Sequence, residues 1–308
     1  MTVSVLVPSS LCREAEDKRE ATRKLGYVAR AAAVFRVDRL TVYPDPGGER
    51  QWGGGFVDTV LRYAATPLYL RKEVWDRRDE LEYAGVLPPL RVRSRTGSGS
   101  EGSGSSRQGI VTEVGSDGRV RVNCGLQHPV SLPVPSGMEV GEGERVTVRV
   151  SSREPVRAKL TSEPSPGFAV DATDLDTALV RDDTGIAIAS SRHGEELDAA
   201  RLGRLAGTVR TSAEPGSGDS RATNPRDDEP EMTVAFGAPE RGLPEILGRG
   251  PNAVPAGADA SRDGGAAGET GTAGRFDRWL NTIPNQGSET VRTEEAMFAT
   301  LACLTLTE

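Results

Sequence analysis

Three apolar runs decide the fold: GIAIAS (185–190), MTVAFG (232–237) and RWLNTI (278–283). Each is six residues of mostly β-compatible side chains, and each leads into a polar, glycine-bearing stretch: SRHG (191–194), APERG (238–242) and PNQGSETVRTEEA (284–296). Helical patterns are read from Asp174, Glu195, Glu240 and Thr293. Strands that alternate with helices indicate a parallel sheet covered by helices, because a parallel neighbour needs a crossover connection. The N-terminal block reads the same way. SVLVP (4–8) is a buried strand. Ala21, Leu25, Val28, Ala32 and Phe35 recur at steps of four and three, the spacing of one helical face. A strand over 40–43, a helix over 56–65, a further turn in TPLYLRK (66–72) and a closing LEYAGVLPPL (81–90) follow.

Between these blocks the periodicity changes. GIVTEVGSDGRVRVNCGL (109–126) alternates apolar and polar residues around Ser116, Asp117 and Gly118, a β-hairpin signal, and ERVTVRV (144–150) adds a strand. The expected architecture is therefore an α/β parallel-sheet domain interrupted by a small antiparallel β-barrel of OB-like type. Its expected parts are an N-terminal portion over 1–95, a flexible linker over 96–107, the barrel over 108–166 and the remaining α/β portion over 167–308. The linker contains TGSGSEGSGSS (96–106), which has almost nothing apolar to hold it on a core. Its GSGSEG matches GxGxxG only formally, since no strand precedes it and no helix follows. Segments 211–231 and 248–274, rich in Gly, Ala, Ser, Asp and Pro, are expected to be disordered insertions.

Composition narrows the chemistry. Three cysteines among 308 residues, far apart, argue against a disulfide scaffold. Two histidines, His128 and His193, cannot build a histidine metal centre, and no CxxC pair suggests zinc. No apolar run approaches the roughly 20 residues that span a bilayer, and the N-terminus lacks a basic region, so a soluble, cytoplasmic chain is expected. The net charge is −7, with only four lysines (Lys18, Lys24, Lys72, Lys159) beside thirty-four arginines. That usage fits either a high-salt cytosol or a GC-rich genome. Net acidity argues against a nonspecific nucleic-acid coat, yet 13–39 and 62–95 each carry eight basic and five acidic residues, so local basic surface exists.

Ligands of open α/β sheets bind beyond the carboxyl ends of the strands, which directs the search to the three polar stretches. Gly237 and Gly242 bracket the second and read either as backbone approaches to a ligand or as turn punctuation. In the third, eight polar or glycine positions (Asn281, Thr282, Asn285, Gln286, Gly287, Ser288, Glu289, Thr290) precede an apolar helix that Thr293 is expected to cap. Capping accounts for Thr293 and the glutamates after it, but not for that density.

The segments PSSL (8–11), VARAAAVFRVDRLTVY (28–43), TPLYLRK (66–72), YAGVLPPL (83–90), AFGAPERGL (235–243) and NTIPNQGSETVRTEEAMFATLACL (281–304) resemble the SPOUT superfamily of RNA methyltransferases. More narrowly they are similar to its archaeal and eukaryotic group of RNA uridine N3-methyltransferases with an inserted OB-like domain. Asn285 stands where that group more often has glycine. The resemblance implies a C-terminal deep trefoil knot, S-adenosylmethionine bound in the knot, an obligate homodimer, an RNA substrate that is ribosomal, and no metal. Carried onto this chain, it places the cofactor on 237–242, on Asn281, Thr282 and Ile283, and on Gln286, Gly287 and Thr290, with Arg192 a further candidate. Arg292, beside the cofactor loop, is the candidate to stabilise an anionic uracil, and Arg30 and Arg36 are candidates for RNA phosphate or, equally, for ion pairs on a solvated helix face. His193 reads either as a base or as a structural surface histidine. The rival readings are a noncatalytic RNA-binding or ribosome-assembly factor on the same scaffold, and a methyltransferase with a different RNA position.

Overall fold

The computed structural model describes residues 2–92, 105–163, 165–203, 231–248 and 276–306. Along the chain the elements are β1 (Thr2–Pro8), α1 (Lys18–Val34), β2 (Arg39–Tyr43), α2 (Gly54–Ala65) and α3 (Arg71–Val74). Five strands follow: β3 (Ser105–Val114), β4 (Arg119–Asn123), β5 (Val130–Pro133), β6 (Arg145–Arg153) and β7 (Val156–Thr161). Strand and helix then alternate again through β8 (Ala169–Ala172), α4 (Leu175–Leu179), β9 (Ile186–Glu196), β10 (Glu231–Ala235), α5 (Leu243–Ile246), β11 (Arg278–Asn281) and α6 (Thr293–Leu304).

Six strands form one parallel sheet in the order β11-β9-β10-β1-β2-β8. β1 lies inside it, paired with β2 on one edge and with β10 on the other. Both faces are covered. Val3, Val5 and Val7 point into a core shared with Leu25, Val28 and Ala32 of α1, Val57, Val60 and Leu61 of α2, and Met297 and Leu301 of α6. Leu6 points the other way, toward Tyr43, Leu175, Leu179, Leu243 and Trp279. This is why the strands read as near-continuous apolar runs rather than as alternation.

The helical face of α1 is the one its spacing predicts. Asp17 caps it by accepting from the Glu20 amide at 2.7 Å. At its other end Val37 N–H bonds the Ala32 carbonyl at 2.9 Å, a closing turn that puts Arg36 at φ 53°.

The second sheet is antiparallel, in the order β5-β4-β3-β6-β7, and it curls until β5 and β7 approach each other, so that it is nearly a closed barrel. Val111, Val120, Val122, Leu132, Val146, Val148, Val150 and Leu160 fill it. The Tyr69 hydroxyl donates to the Gln108 carbonyl at 2.8 Å and Arg145 Nη2 to Thr66 Oγ1 at 3.2 Å, fastening the barrel to the segment after α2.

Three expectations are corrected. β3 begins at Ser105, inside the expected linker, because Ser105, Ser106 and Arg107 pair in register with Val150, Arg149 and Val148; a small polar side chain does not stop a backbone ladder. Residues 96–104 of that linker, and the insertions apart from Glu231 and Gly248, lie outside the described residues. The helix expected from Glu195 is not there: β9 continues to Glu196, where Leu280 and Asn281 pair with Glu195 and Glu196 after a register shift, and a helical turn starts only at 199. The helix expected from Glu240 starts at Leu243, since Glu240 sits in a turn at φ 60°. Phe168, two residues beyond the expected barrel, is 5% exposed and belongs to the core of the parallel sheet.

Candidate functional site

The carboxyl ends of β10 and β11 and the bend in the middle of β9 face one cleft of ≈460 Å³. Its walls come from three stretches far apart in sequence: 190–193 at the bend of β9, 236–245 after β10, and 281–296 after β11. Two glycines let these backbones meet. A Cβ on Gly237 would stand 2.6 Å from the Leu243 nitrogen and 3.0 Å from the Arg241 carbonyl oxygen, so the stretch after β10 can fold back on itself only without one. A Cβ on Gly194 would stand 2.6 Å from the Leu280 nitrogen, so β9 can bend against β11 only at a glycine.

Thr293 ties the second wall to the third. It is the first residue of α6, not its cap: Arg292 is the cap, and its amide donates to the Glu295 carboxylate at 2.9 Å. The Thr293 hydroxyl instead donates to the Gly237 carbonyl at 2.9 Å.

The polar density before α6 is spent largely on shaping the loop. Asn281 Nδ2 donates to the Arg192 carbonyl at 3.1 Å, and its Oδ1 accepts from the Ile283 amide at 3.0 Å. Gln286 Nε2 donates to the Ser288 carbonyl at 2.9 Å and the Ser288 hydroxyl to the Thr290 carbonyl at 3.0 Å. Thr282 shares a hydrogen bond of 2.8 Å with Thr300 of α6. Of the residues singled out from the sequence, Arg192, Gly237, Gly242, Asn281, Thr282, Ile283, Gln286 and Thr290 line the cleft. Gly287 and Arg292 do not line it, and the Arg292 side chain is exposed. Arg30 lies elsewhere, with Nη1 bonded to the Pro89 and Leu90 carbonyls, and Arg36 is exposed at the end of α1.

Sequence reasoning missed the anchor of the second wall. Arg241 Nε lies 3.0 Å from Asp45 Oδ2, its Nη2 3.2 Å from Asp45 Oδ1, and its Nη1 2.6 Å from Glu245 Oε1. Asp45 follows β2, is 4% exposed, accepts also from the Ser10 hydroxyl at 2.5 Å, and donates its amide to Ser9 Oγ at 2.8 Å. Hydrogen bonding to Asp45 raises the pKa of Arg241 further above its ordinary value. The only sequence signal was the charge of Arg241 within APERG.

Beside the first turn of α6 lies a buried ionic cluster: the Lys24 ammonium contacts Glu14 and lies 3.8 Å from Glu20, with Glu294 7% exposed nearby. Burial pushes the Glu294 carboxyl above its ordinary pKa, against the pull of its own amide and of Lys24. The folded chain therefore holds this proton more tightly than the unfolded chain, and stability falls as pH rises through the range above the usual carboxylate value. Glu294→Gln is expected to raise the melting temperature at pH 8 and to leave it little changed near pH 4. Thermal unfolding of both proteins across that range measures it, and a variant less stable at pH 8 would show that the charge is net stabilising.

Among the described residues no group of three His, Cys, Asp or Glu side chains is arranged to hold a metal ion, and no helix is long and apolar enough to cross a membrane.

The chain is similar to known proteins over nearly its whole length. A family model described as "Putative RNA methyltransferase" matches residues 2–304. An uncharacterized protein of Haloarcula marismortui is 68% identical over 308 residues, spanning all of both chains, and one of Halobacterium salinarum is 65% identical over 309 residues, again spanning all of both. The human 28S rRNA (uridine-N(3))-methyltransferase is 27% identical over 340 residues, which span 98% of this chain and 77% of the human one.

Proposed function

The chain belongs to the RNA methyltransferase family whose model spans it, and from that premise we propose that it transfers a methyl group from S-adenosylmethionine to N3 of a uridine in ribosomal RNA. The observation that carries the reading is the cleft whose floor is the glycine-forced fold of 237–243, at the strand ends where α/β sheets bind ligands. Its residues fit the cofactor. Ile283 and Val291, both partly exposed, offer an apolar wall to a purine, and main chain at the partly exposed Gly237 and the exposed Gly242 can approach a ligand closely. Glu240, Glu245 and Glu289 line the same cleft and suit a ligand that carries sulfonium and ammonium charge.

When bound, S-adenosylmethionine supplies an activated methyl group on sulfur. The protein's share is then positioning, exclusion of water and management of one proton. We place the cofactor on Gly237, Gly242, Asn281, Thr282, Ile283, Gln286 and Thr290, with Gly287 in the loop behind them and Arg192 at the rim. Arg292 is proposed to reach the reacting base from outside the cleft and to stabilise the anionic uracil. RNA contact is assigned to Arg36 and to Arg30, although the latter also holds the Pro89 and Leu90 carbonyls.

The same reading carries a C-terminal trefoil knot, a homodimer, and an OB-like barrel inserted into the SPOUT domain. It also places the enzyme in the cytoplasm of a halophile, in keeping with the haloarchaeal relatives and the scarcity of lysine. The test has two arms: calorimetric titration with S-adenosylhomocysteine in high potassium chloride, and transfer of labelled methyl to ribosomal RNA from a deletion strain, with the modified nucleotide mapped. Binding together with label on a uridine N3 is expected. A well-folded protein that binds but labels no RNA would sink the enzymatic part of the reading.

A further inference from the structure

At the bend of β9 two neighbouring side chains meet across one rim of the cleft. Arg192 Nε donates to His193 Nε2 at 3.2 Å, and both residues line the cleft. The backbone holds them there: the His193 amide donates to Ser191 Oγ at 3.2 Å, the Arg192 carbonyl accepts from Asn281, and Gly194 allows the bend. An imidazole nitrogen that accepts a hydrogen bond carries no proton, so Nε2 presents a lone pair and Nδ1 holds the hydrogen.

The pair thus offers a donor and an acceptor side by side. That is the complement of one edge of a uracil imide, where the N3–H donor adjoins a carbonyl acceptor. Cytosine presents the reverse at that edge, an unprotonated N3 beside an amino group, and would meet lone pair with lone pair.

We propose that Arg192 and His193 read the imide edge of the target uridine and that His193 Nε2 accepts its N3 proton. The inference rests on the methyltransferase reading above. On binding, the uracil N3–H replaces the Arg192 Nε–H at His193, and Arg192 turns to the adjoining carbonyl oxygen. As the N3–H bond breaks, its proton goes to His193 Nε2 and its electron pair stays on N3. The N3 electron pair forms the new bond to the methyl carbon, and the methyl–sulfur bond breaks with its electrons left on the sulfur. The positive charge lost at sulfur is carried by the imidazolium, which returns its proton to water. Arg192 faces the negative charge that develops on the carbonyl oxygen.

The charged surroundings suit this role. Arg192 is the cation beside His193 on its own strand, while Glu195 on that strand is turned toward Arg201 at 3.8 Å. Across the cleft stand Glu240, Arg241 and Glu245 after β10, and Glu289 after β11. Arg241 is engaged by Asp45 and Glu245. Partial burial, and then the Arg192 charge, lowers the His193 pKa from its ordinary value, which keeps the imidazole neutral and able to accept a proton at pH 7.

The experiment compares the full-length protein with His193→Ala in three measurements: S-adenosylhomocysteine titration, single-turnover methyl transfer to ribosomal RNA as a function of pH, and the same transfer with added imidazole. The expected variant binds S-adenosylhomocysteine as the parent does and transfers methyl about 10²–10⁴-fold more slowly at pH 7. Its rate climbs with pH toward the alkaline range where the uracil imide ionises in water, whereas the parent levels off, and imidazole restores part of the loss. Parental rates in the variant at pH 7 would overturn the proposal. So would loss of S-adenosylhomocysteine binding in the variant, which would move His193 into the cofactor pocket. Failure of the parent itself to bind or transfer would instead remove the methyltransferase reading on which the proposal stands.

Discussion

Gly237→Ala is expected to lower affinity for S-adenosylhomocysteine by about 100-fold or more while leaving the protein folded. The added methyl would lie 2.6 Å from the Leu243 nitrogen, 2.9 Å from the Gly242 carbonyl carbon and 3.0 Å from the Arg241 oxygen. All three are backbone atoms, which cannot swing aside as the end of a side chain can, so the stretch 238–243 must move. Thr293 donates to the Gly237 carbonyl, so the third wall of the cleft is disturbed with the second. In catalysis a displacement of about 1 Å in a preorganised site costs on the order of 100-fold in rate, and a loss of similar size is expected here in affinity. Gly242→Ala is the contrast: its methyl meets nothing nearer than Pro244 Cδ at 3.5 Å, an ordinary contact, so the path of the chain is kept and any loss should stay below about tenfold. Calorimetry on both variants, with circular dichroism to establish folding, measures the difference. Equal affinities in Gly237→Ala and the parent would show that this stretch does not bound the cofactor.

The second large effect concerns stability. Arg241→Ala is expected to cost about 3–5 kcal/mol, because it leaves the carboxylate of Asp45 buried without its counter-ion. At a few degrees per kcal/mol for a chain of this size, the melting temperature should fall by roughly 10 °C. Asp45→Asn alone should cost less than Arg241→Ala, since an amide in that place keeps a hydrogen bond to the Ser10 hydroxyl and strands no negative charge. The double variant Asp45→Asn with Arg241→Ala should recover part of the loss, the mark of two coupled residues. Thermal unfolding of the three variants decides it: additive losses, or a drop of a degree or two in Arg241→Ala, would mean that the pair is a solvated contact of little weight. The link also fixes the stretch after β10 to the end of β2, so a lowered affinity for S-adenosylhomocysteine is expected alongside.

What could be read from the sequence was whatever repeats locally. The parallel strands announced themselves because both faces of β1, β2 and β10 are buried, and α1 because its apolar residues recur at helical spacing. β9 misled because its second half, SRHGEE, is polar and gains its strand character from pairing with β11 rather than from its own side chains. Gly194 was the one local sign, visible only once the Leu280 backbone is seen to press on it. The floor of the cleft was partly legible, since glycines and amides cluster there, but most of those amides turned out to hold the loop. Asp45 and Arg241 could not be paired by any periodicity, being 196 residues apart. The histidine at the bend was visible only as a lone histidine until the structure set a guanidinium against its ring nitrogen.

The place of β1 inside the parallel sheet has a consequence for how the chain comes off the ribosome. Of these three strands it is made first, and β2 follows within a few dozen residues, but the partner on its other edge, β10, is made only after the whole barrel. For much of synthesis one edge of β1 has no strand to pair with, a bare edge of the kind that recruits strands from other chains. The barrel, with all its strands complete at Thr161, can close long before that. Assembly is therefore timed from the middle outward: barrel first, then the sheet around β1, and last, with β11, the cleft. Slowed translation after the barrel would lengthen the exposure of β1, and shortage of a chaperone should be felt there before it is felt anywhere else in the molecule.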